Sequence, residues 1–137
     1  IGYIIDFKEI KRVGVQWIDD MMDHGFIVNP HDTLLINTLI DIETKLYEMS
    51  LNGKDYCNPS VENVAREIFL AQQILFEDYK GLEIHHIRLN ETPNCYTDVY
   101  KESIPDIEKE NFYKRNYEHI KNYATHKGIV EYDDRKL

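Results

Sequence analysis

Apolar residues recur at helical spacing in four stretches of the chain and alternate at strand spacing in a fifth. Phe7, Ile10, Val13, Trp17, Ile18 and Met21 fall on one face of a helix. Residues 1–5 read as the tail of a strand, and Asp6 as an N-cap, with Glu9 three residues on completing a capping box. Ile5 and Ile10 stand where a hydrophobic staple would put them, and Gly25 suits the left-handed position after the helix. Leu35, Leu39, Ile42, Leu46 and Met49 then predict a helix from about Asp32, favoured over residues 33–43. The stretch Lys45 to Met49, followed by Asn52-Gly53, fits an extended arm equally well.

A second long helix follows, capped by Asn58 or Ser60 with Pro59 suited to its first turn and Gly81 at its end. Val61, Val64, Ala65, Ile68, Leu75 and Tyr79 form its core face. Leu82 to Thr92 reads as a strand whose apolar phase switches between Ile84 and Ile87, which places a bulge near His85-His86. Pro93-Asn94 is a turn, and Tyr96 to Tyr100 alternates as the returning strand of a hairpin. Beyond Pro105, the residues Phe112, Tyr113, Tyr117, Ile120 and Ala124 predict an amphipathic helix ending before Gly128. This tail is expected to pack on the outside of the domain or across a subunit contact. No repeat or low-complexity segment interrupts the pattern.

Composition narrows the class. A chain of 137 residues, 42% hydrophobic and 30% charged, fits one domain with a real core. No apolar run approaches the roughly 20 residues of a membrane span, and nothing resembles a signal peptide. The net charge of −9 falls wholly in residues 1–100, where 8 basic side chains face 17 acidic ones. That field repels phosphodiester backbones and argues against nucleic-acid binding. Two cysteines, Cys57 and Cys95, make no disulfide framework and are expected to be reduced thiols in the cytoplasm. The chain opens on Ile1 rather than Met, so it is expected to be part of a longer protein.

Four short signatures stand in a fixed order: Gly2-Tyr3-Ile4-Ile5-Asp6-Phe7, Met22-Asp23-His24-Gly25, Asn58-Pro59-Ser60-Val61-Glu62-Asn63 and Ile87-Arg88-Leu89-Asn90-Glu91-Thr92. Together they resemble the 6-pyruvoyl-tetrahydropterin synthase / 6-carboxytetrahydropterin synthase family over about residues 1–100. The resemblance implies an α+β tunnelling fold, an antiparallel sheet with helices packed on one face. Its first hairpin is incomplete here, and residues 101–137 form an extension with an extra C-terminal helix. It also implies a homo-oligomer, a hexamer of stacked rings of three, with active sites at subunit contacts. The implied substrate is 7,8-dihydroneopterin triphosphate, whose negative charge needs a local positive pocket against the acidic surface. The implied activity is 6-carboxytetrahydropterin synthase, a lyase of the 7-deazaguanine (queuosine-type) pathway. Alternatives are 6-pyruvoyl-tetrahydropterin synthase and a non-catalytic pterin-binding or oligomer-forming homologue. The family's zinc histidines and reactive cysteine precede the first signature, so the zinc ligands are expected upstream of Ile1.

The same resemblance assigns residues to roles. Asp23 and His24 match the family's proton-moving pair, with His24 the shuttle and Asp23 its partner, for which a near-neutral imidazole is suited. Adjacent helical residues do not face one another, however, and a histidine in a last turn also suits the helix dipole. Glu91 matches the carboxylate that accepts the exocyclic amine and ring N–H of a pterin together, and Thr92 completes that motif. An unpaired carboxylate ending an otherwise apolar strand would be costly, so a salt bridge is the competing explanation. Ser60 matches a hydroxyl position lining the pterin pocket and equally fits a plain helix cap. His85 and His86 point to opposite faces of a strand and make a poor chelating pair. No cationic neighbour in sequence activates Cys57 or Cys95, which read as structural or incidental.

Overall fold

A computed structural model of the protein describes residues 7–51, 57–79 and 81–126. The expected strand tail, the Asp6 cap, the Ile5 staple and the Asn52-Gly53 turn lie outside the described residues. The first helix runs in three consecutive segments: α1 (Phe7–Ile10), a π-helical stretch (Lys11–Val15) and α2 (Gln16–Met21). The wider turn shows in the Gln16 N–H, which donates to the Lys11 carbonyl five residues back. It turns Val13 and Trp17 fully inward while Ile10 and Val15 stay exposed. Gly14 makes the approach to the next layer possible. Gln72 Nε2 donates to the Gly14 carbonyl at 3.1 Å, and a Cβ on Gly14 would stand 2.3 Å from Gln72 Oε1 and 3.1 Å from Phe76.

Strand β1 (Phe26–Val28) and strand β2 (Leu46–Glu48) pair in parallel, Phe26 with Leu46 and Val28 with Glu48. Helix α3 (Thr33–Asp41) makes the crossover between them, capped by Asp32, which accepts the Leu35 N–H at 3.2 Å. The helical spacing was right as far as Asp41. Leu46 and Met49 continue the same rhythm, yet they belong to the arm, because Glu43 takes a left-handed φ of 55° and ends the helix. Only Leu39 of α3 is buried; Leu34, Leu35, Ile40 and the following Ile42 remain in water.

Helix α4 (Val61–Leu75) is the centre of the molecule. Eleven of its 15 residues are buried, so it is covered on nearly every side rather than along one stripe. The hairpin of β3 (His86–Thr92) and β4 (Cys95–Tyr100) packs on one flank, antiparallel, with Ile87 opposite Val99. Helix α5 (Asp106–His126) packs on another, burying Phe112, Ile120 and Ala124 in the same core as Phe69, Leu70 and Ile74. The tail is thus a wall of the core, not a peripheral addition. Helix α4 ends six residues before Gly81, whose φ of +82° serves the turn into the hairpin instead.

One buried carboxylate links three of these elements. Glu67 of α4 has no exposed surface, and it accepts hydrogen bonds from Tyr47 Oη at 2.5 Å, from Ser50 N at 2.9 Å and from Ser50 Oγ at 2.8 Å. From α5, Asn116 Nδ2 donates to Ser50 Oγ at 3.0 Å and Arg115 Nη1 to the carbonyls of Ser50 and Leu51. Burial raises the Glu67 pKa, and these hydrogen bonds offset only part of the rise.

Two outcomes follow from this packing. Gly14→Ala pushes into Gln72 and Phe76 and is expected to cost about 1–3 kcal/mol in urea denaturation. Because the folded-state pKa of Glu67 is raised, its contribution is complete below the ordinary carboxyl value near 4.5 and is lost as pH rises through the raised value. Stability is expected to fall with rising pH across that window, and Glu67→Gln, which cannot ionise, is expected to flatten the fall in denaturation curves taken as a pH series. Glu108, also raised by burial and with no hydrogen-bond partner for Oε1 among the described residues, contributes in the same direction.

Candidate functional site

The residues expected to carry chemistry lie in three places: the corner after α2, the start of α4 and the tip of the hairpin. At the corner, the N–H groups of Met22 and Asp23 both donate to the Ile18 carbonyl, at 2.8 and 3.2 Å, closing the helix. The left-handed residue is His24, with φ 58°, and not Gly25 as expected. For a residue with a side chain this conformation costs on the order of 1 kcal/mol or more. It also changes the geometry of the pair. Once His24 has left the helix, its Nε2 stands 3.3 Å from Asp23 Oδ2, a contact that two neighbours within a helix would not make. The imidazole is 93% exposed, open to whatever docks on this corner.

Gly25 has a different reason to be glycine. A Cβ there would stand 3.0 Å from Lys45 Cγ and 3.1 Å from the Lys45 carbonyl. The arm carrying β2 therefore lies directly against the corner. Lys45 Nζ donates to the Asp19 carbonyl at 3.0 Å and to the Asp23 carbonyl at 2.8 Å, satisfying helix-end carbonyls with a cation. No sequence pattern marked Lys45, since its partners stand 22 and 26 residues away.

At the start of α4, Ser60 is the N-cap; its Oγ accepts the Asn63 N–H at 3.2 Å. Pro59 precedes the cap and is not in the first turn. Asn58 supports the cap with its carbonyl, which accepts Asn63 Nδ2 at 3.0 Å, while its Oδ1 accepts Asn29 Nδ2 at 2.7 Å. Since Asn29 follows β1, this bond ties the chain leaving the His24 corner to the Ser60 cap.

At the hairpin tip the register passes from Asn90 opposite Tyr96 to Thr92 opposite Cys95, leaving Glu91 as the extra residue of a bulge. The bulge is therefore here and not near His85-His86. It turns the Glu91 carboxylate into solvent, so the desolvation cost expected at an apolar strand end does not arise. Thr92 is exposed beside it. Among the described residues the Glu91 carboxylate has a long contact with the Cys95 thiol, Sγ 3.9 Å from Oε1.

Among the described residues, no hydrogen bond or ion pair joins the Asp23–His24 pair, Ser60 and the Glu91–Thr92 tip to one another. A cavity of about 490 Å³ opens elsewhere, between the first helix and β3, with Ile10, Ile18, Ile68, Phe76, Ile87 and Leu89 in its walls. None of the five candidate residues lines it.

Several other titratable groups are occupied structurally. His86 lies 2.8 Å from Asp98 and stacks on Tyr100 at 4.5 Å between ring centroids, while His85 turns to Glu83. Arg88, aided by His86, holds the Asp98 carboxyl down at about 2. Cys57 is buried, donates to the Leu51 carbonyl at 2.8 Å, and has its thiol pKa raised by burial and by Glu67, which disfavours a thiolate. Among the described residues no three histidine, cysteine or acidic groups converge as a metal site. The described residues therefore do not fit the zinc centre that the resemblance implies.

The model of the 6-pyruvoyl tetrahydropterin synthase family matches residues 1–102. The chain belongs to this family. Its relatives include the 6-carboxy-5,6,7,8-tetrahydropterin synthases of Rickettsia felis, 31% identical over 102 residues, Rickettsia bellii, 34% over 104, and Rickettsia typhi, 35% over 104. Each alignment covers 72% of this chain and 68% of the relative. No solved structure gives a significant match. The mixed helix and strand architecture, with its small antiparallel hairpin sheet and C-terminal helix, agrees with the α+β tunnelling fold.

Proposed function

We propose that the protein is a 6-carboxytetrahydropterin synthase acting on 7,8-dihydroneopterin triphosphate. The names of its relatives support this reading, and the observation that carries it is the paired Asp23 carboxylate and exposed His24 imidazole at a left-handed corner. In the proposed reaction triphosphate is eliminated, and water is taken up as the side-chain carbon–carbon bond breaks, leaving the carboxyl group on the pterin and releasing acetaldehyde. His24 takes and returns the side-chain protons, and Asp23 orients its ring and stabilises the imidazolium that forms. Glu91 accepts two pterin N–H groups, an arrangement its solvent-facing position permits. Ser60 and Thr92 offer hydroxyls to the same ligand. Zinc, if bound, would act as a Lewis acid on side-chain oxygens, but the described residues supply no ligand set for it.

Among the described residues the catalytic pair and the pterin clamp share no hydrogen bond or ion pair, which supports a site completed between copies. A two-stranded hairpin with open edges is a natural joining surface for the proposed homo-oligomeric ring. The acidic surface speaks against nucleic-acid partners. Among the described residues no helix is long and apolar enough to cross a membrane. The cytoplasm is the proposed location, and the queuosine-type pathway the proposed context. The pyruvoyl product named by the family model is distinguished by identifying the product itself.

Glu91→Ala, made in the full-length protein, is expected to lose pterin binding while remaining folded, since each charge-assisted bond contributes about 1.5–3 kcal/mol. Unchanged affinity in titration calorimetry would remove Glu91 from the site. His24→Ala and Asp23→Asn are each expected to reduce turnover of dihydroneopterin triphosphate by ~10²–10⁴-fold with far smaller effects on binding. Wild-type turnover in both would leave the pair as nothing more than a helix terminus.

A further inference from the structure

The corner bearing Asp23 and His24 has little holding it from within. It is exposed, its central residue sits at a positive φ, and its own hydrogen bonds are those of a fraying helix end. A conformation of this kind persists only where the surroundings over-determine it. Three of those surroundings come from one residue of a distant segment. Lys45 Nζ spans the corner, holding the Asp19 carbonyl on one side and the Asp23 carbonyl on the other. The Lys45 carbonyl accepts the Phe26 N–H at 2.9 Å, fixing the chain as it leaves the corner. Its side-chain stem and carbonyl press against the Cα of Gly25, filling the space where a Cβ would go.

We propose that Lys45 is a positioning residue for the proton-transferring pair: it fixes the Asp23–His24–Gly25 corner in the conformation that brings the carboxylate to the imidazole. The role assigned to the pair rests on the function proposed above; the mechanical role of Lys45 does not. An ammonium suits the task because it donates to two carbonyls at once and lies favourably at the negative end of a helix. The arm that carries it is anchored independently, through Tyr47 and Ser50 on Glu67, so Lys45 is presented from a fixed base.

The test compares Lys45→Met with Lys45→Arg in the full-length protein, reading amide hydrogen exchange and steady-state turnover side by side. Lys45→Met keeps the aliphatic stem and removes the two carbonyl bonds. The amides of Gly25 and Phe26 are expected to exchange roughly tenfold faster, as loss of a charge-assisted bond implies, while those of α4 stay protected. Turnover is expected to fall with KM held, and Lys45→Arg to recover both readings. Unchanged exchange at Gly25 and Phe26 in Lys45→Met overturns the proposal whatever the turnover. Faster exchange with unaltered turnover leaves Lys45 a structural clamp and overturns its role as a positioning residue, while the assignment of proton transfer to Asp23 and His24 stands or falls with His24→Ala and Asp23→Asn.

Discussion

The Glu67 carboxylate is the constraint around which the rest of the molecule is arranged. A carboxylate taken wholly out of water is costly unless its oxygens are satisfied, and here Tyr47 and Ser50 satisfy them. Those partners sit on an arm whose Met49 and Leu51 are buried in the core, so covering one acid and burying those two side chains together fix where the arm lies. The arm in turn pairs with β1, carries Lys45 to the corner after α2, and offers Ser50 and Leu51 to Arg115 and Asn116 of α5. Position is thus passed from the buried helix outward by directional bonds, where apolar packing alone would allow sliding.

The same logic explains the first helix. Gln72 approaches the Gly14 backbone more closely than any residue with a Cβ would allow, and the π-helical stretch lies at that contact. A wider turn shifts the phase of the apolar stripe by about one residue, which is how Val13 and Trp17 are buried while Ile10 stays exposed. The corner that follows inherits its direction from this adjustment.

Much of the architecture was legible in the sequence because it rests on local signals. The α4 cap at Ser60, the Pro93-Asn94 turn and the tail helix all follow from short-range chemistry that a sequence displays. What escaped notice depends on partners far along the chain. Glu67 looks like any surface glutamate until Tyr47 and Ser50 surround it. The parallel pairing of β1 with β2 leaves no mark in two strands of three residues each. Phe69, Leu70 and Ile74 were missed as core because periodicity describes one face, and α4 has none that is free. At the site, residue types and order pointed to Asp23, His24, Ser60, Glu91 and Thr92. The left-handed His24 and the bulge at Glu91, which decide where those groups point, arise from backbone geometry that no motif encodes.

The family match ends at residue 102, but the core does not end there. Phe112, Ile120 and Ala124 of α5 close over α4 and keep that flank of the helix from water. Substitutions on that flank of α4 are therefore answerable to the tail, and those on the inner face of α5 to the domain. The two segments share one core even though only one of them carries the family match.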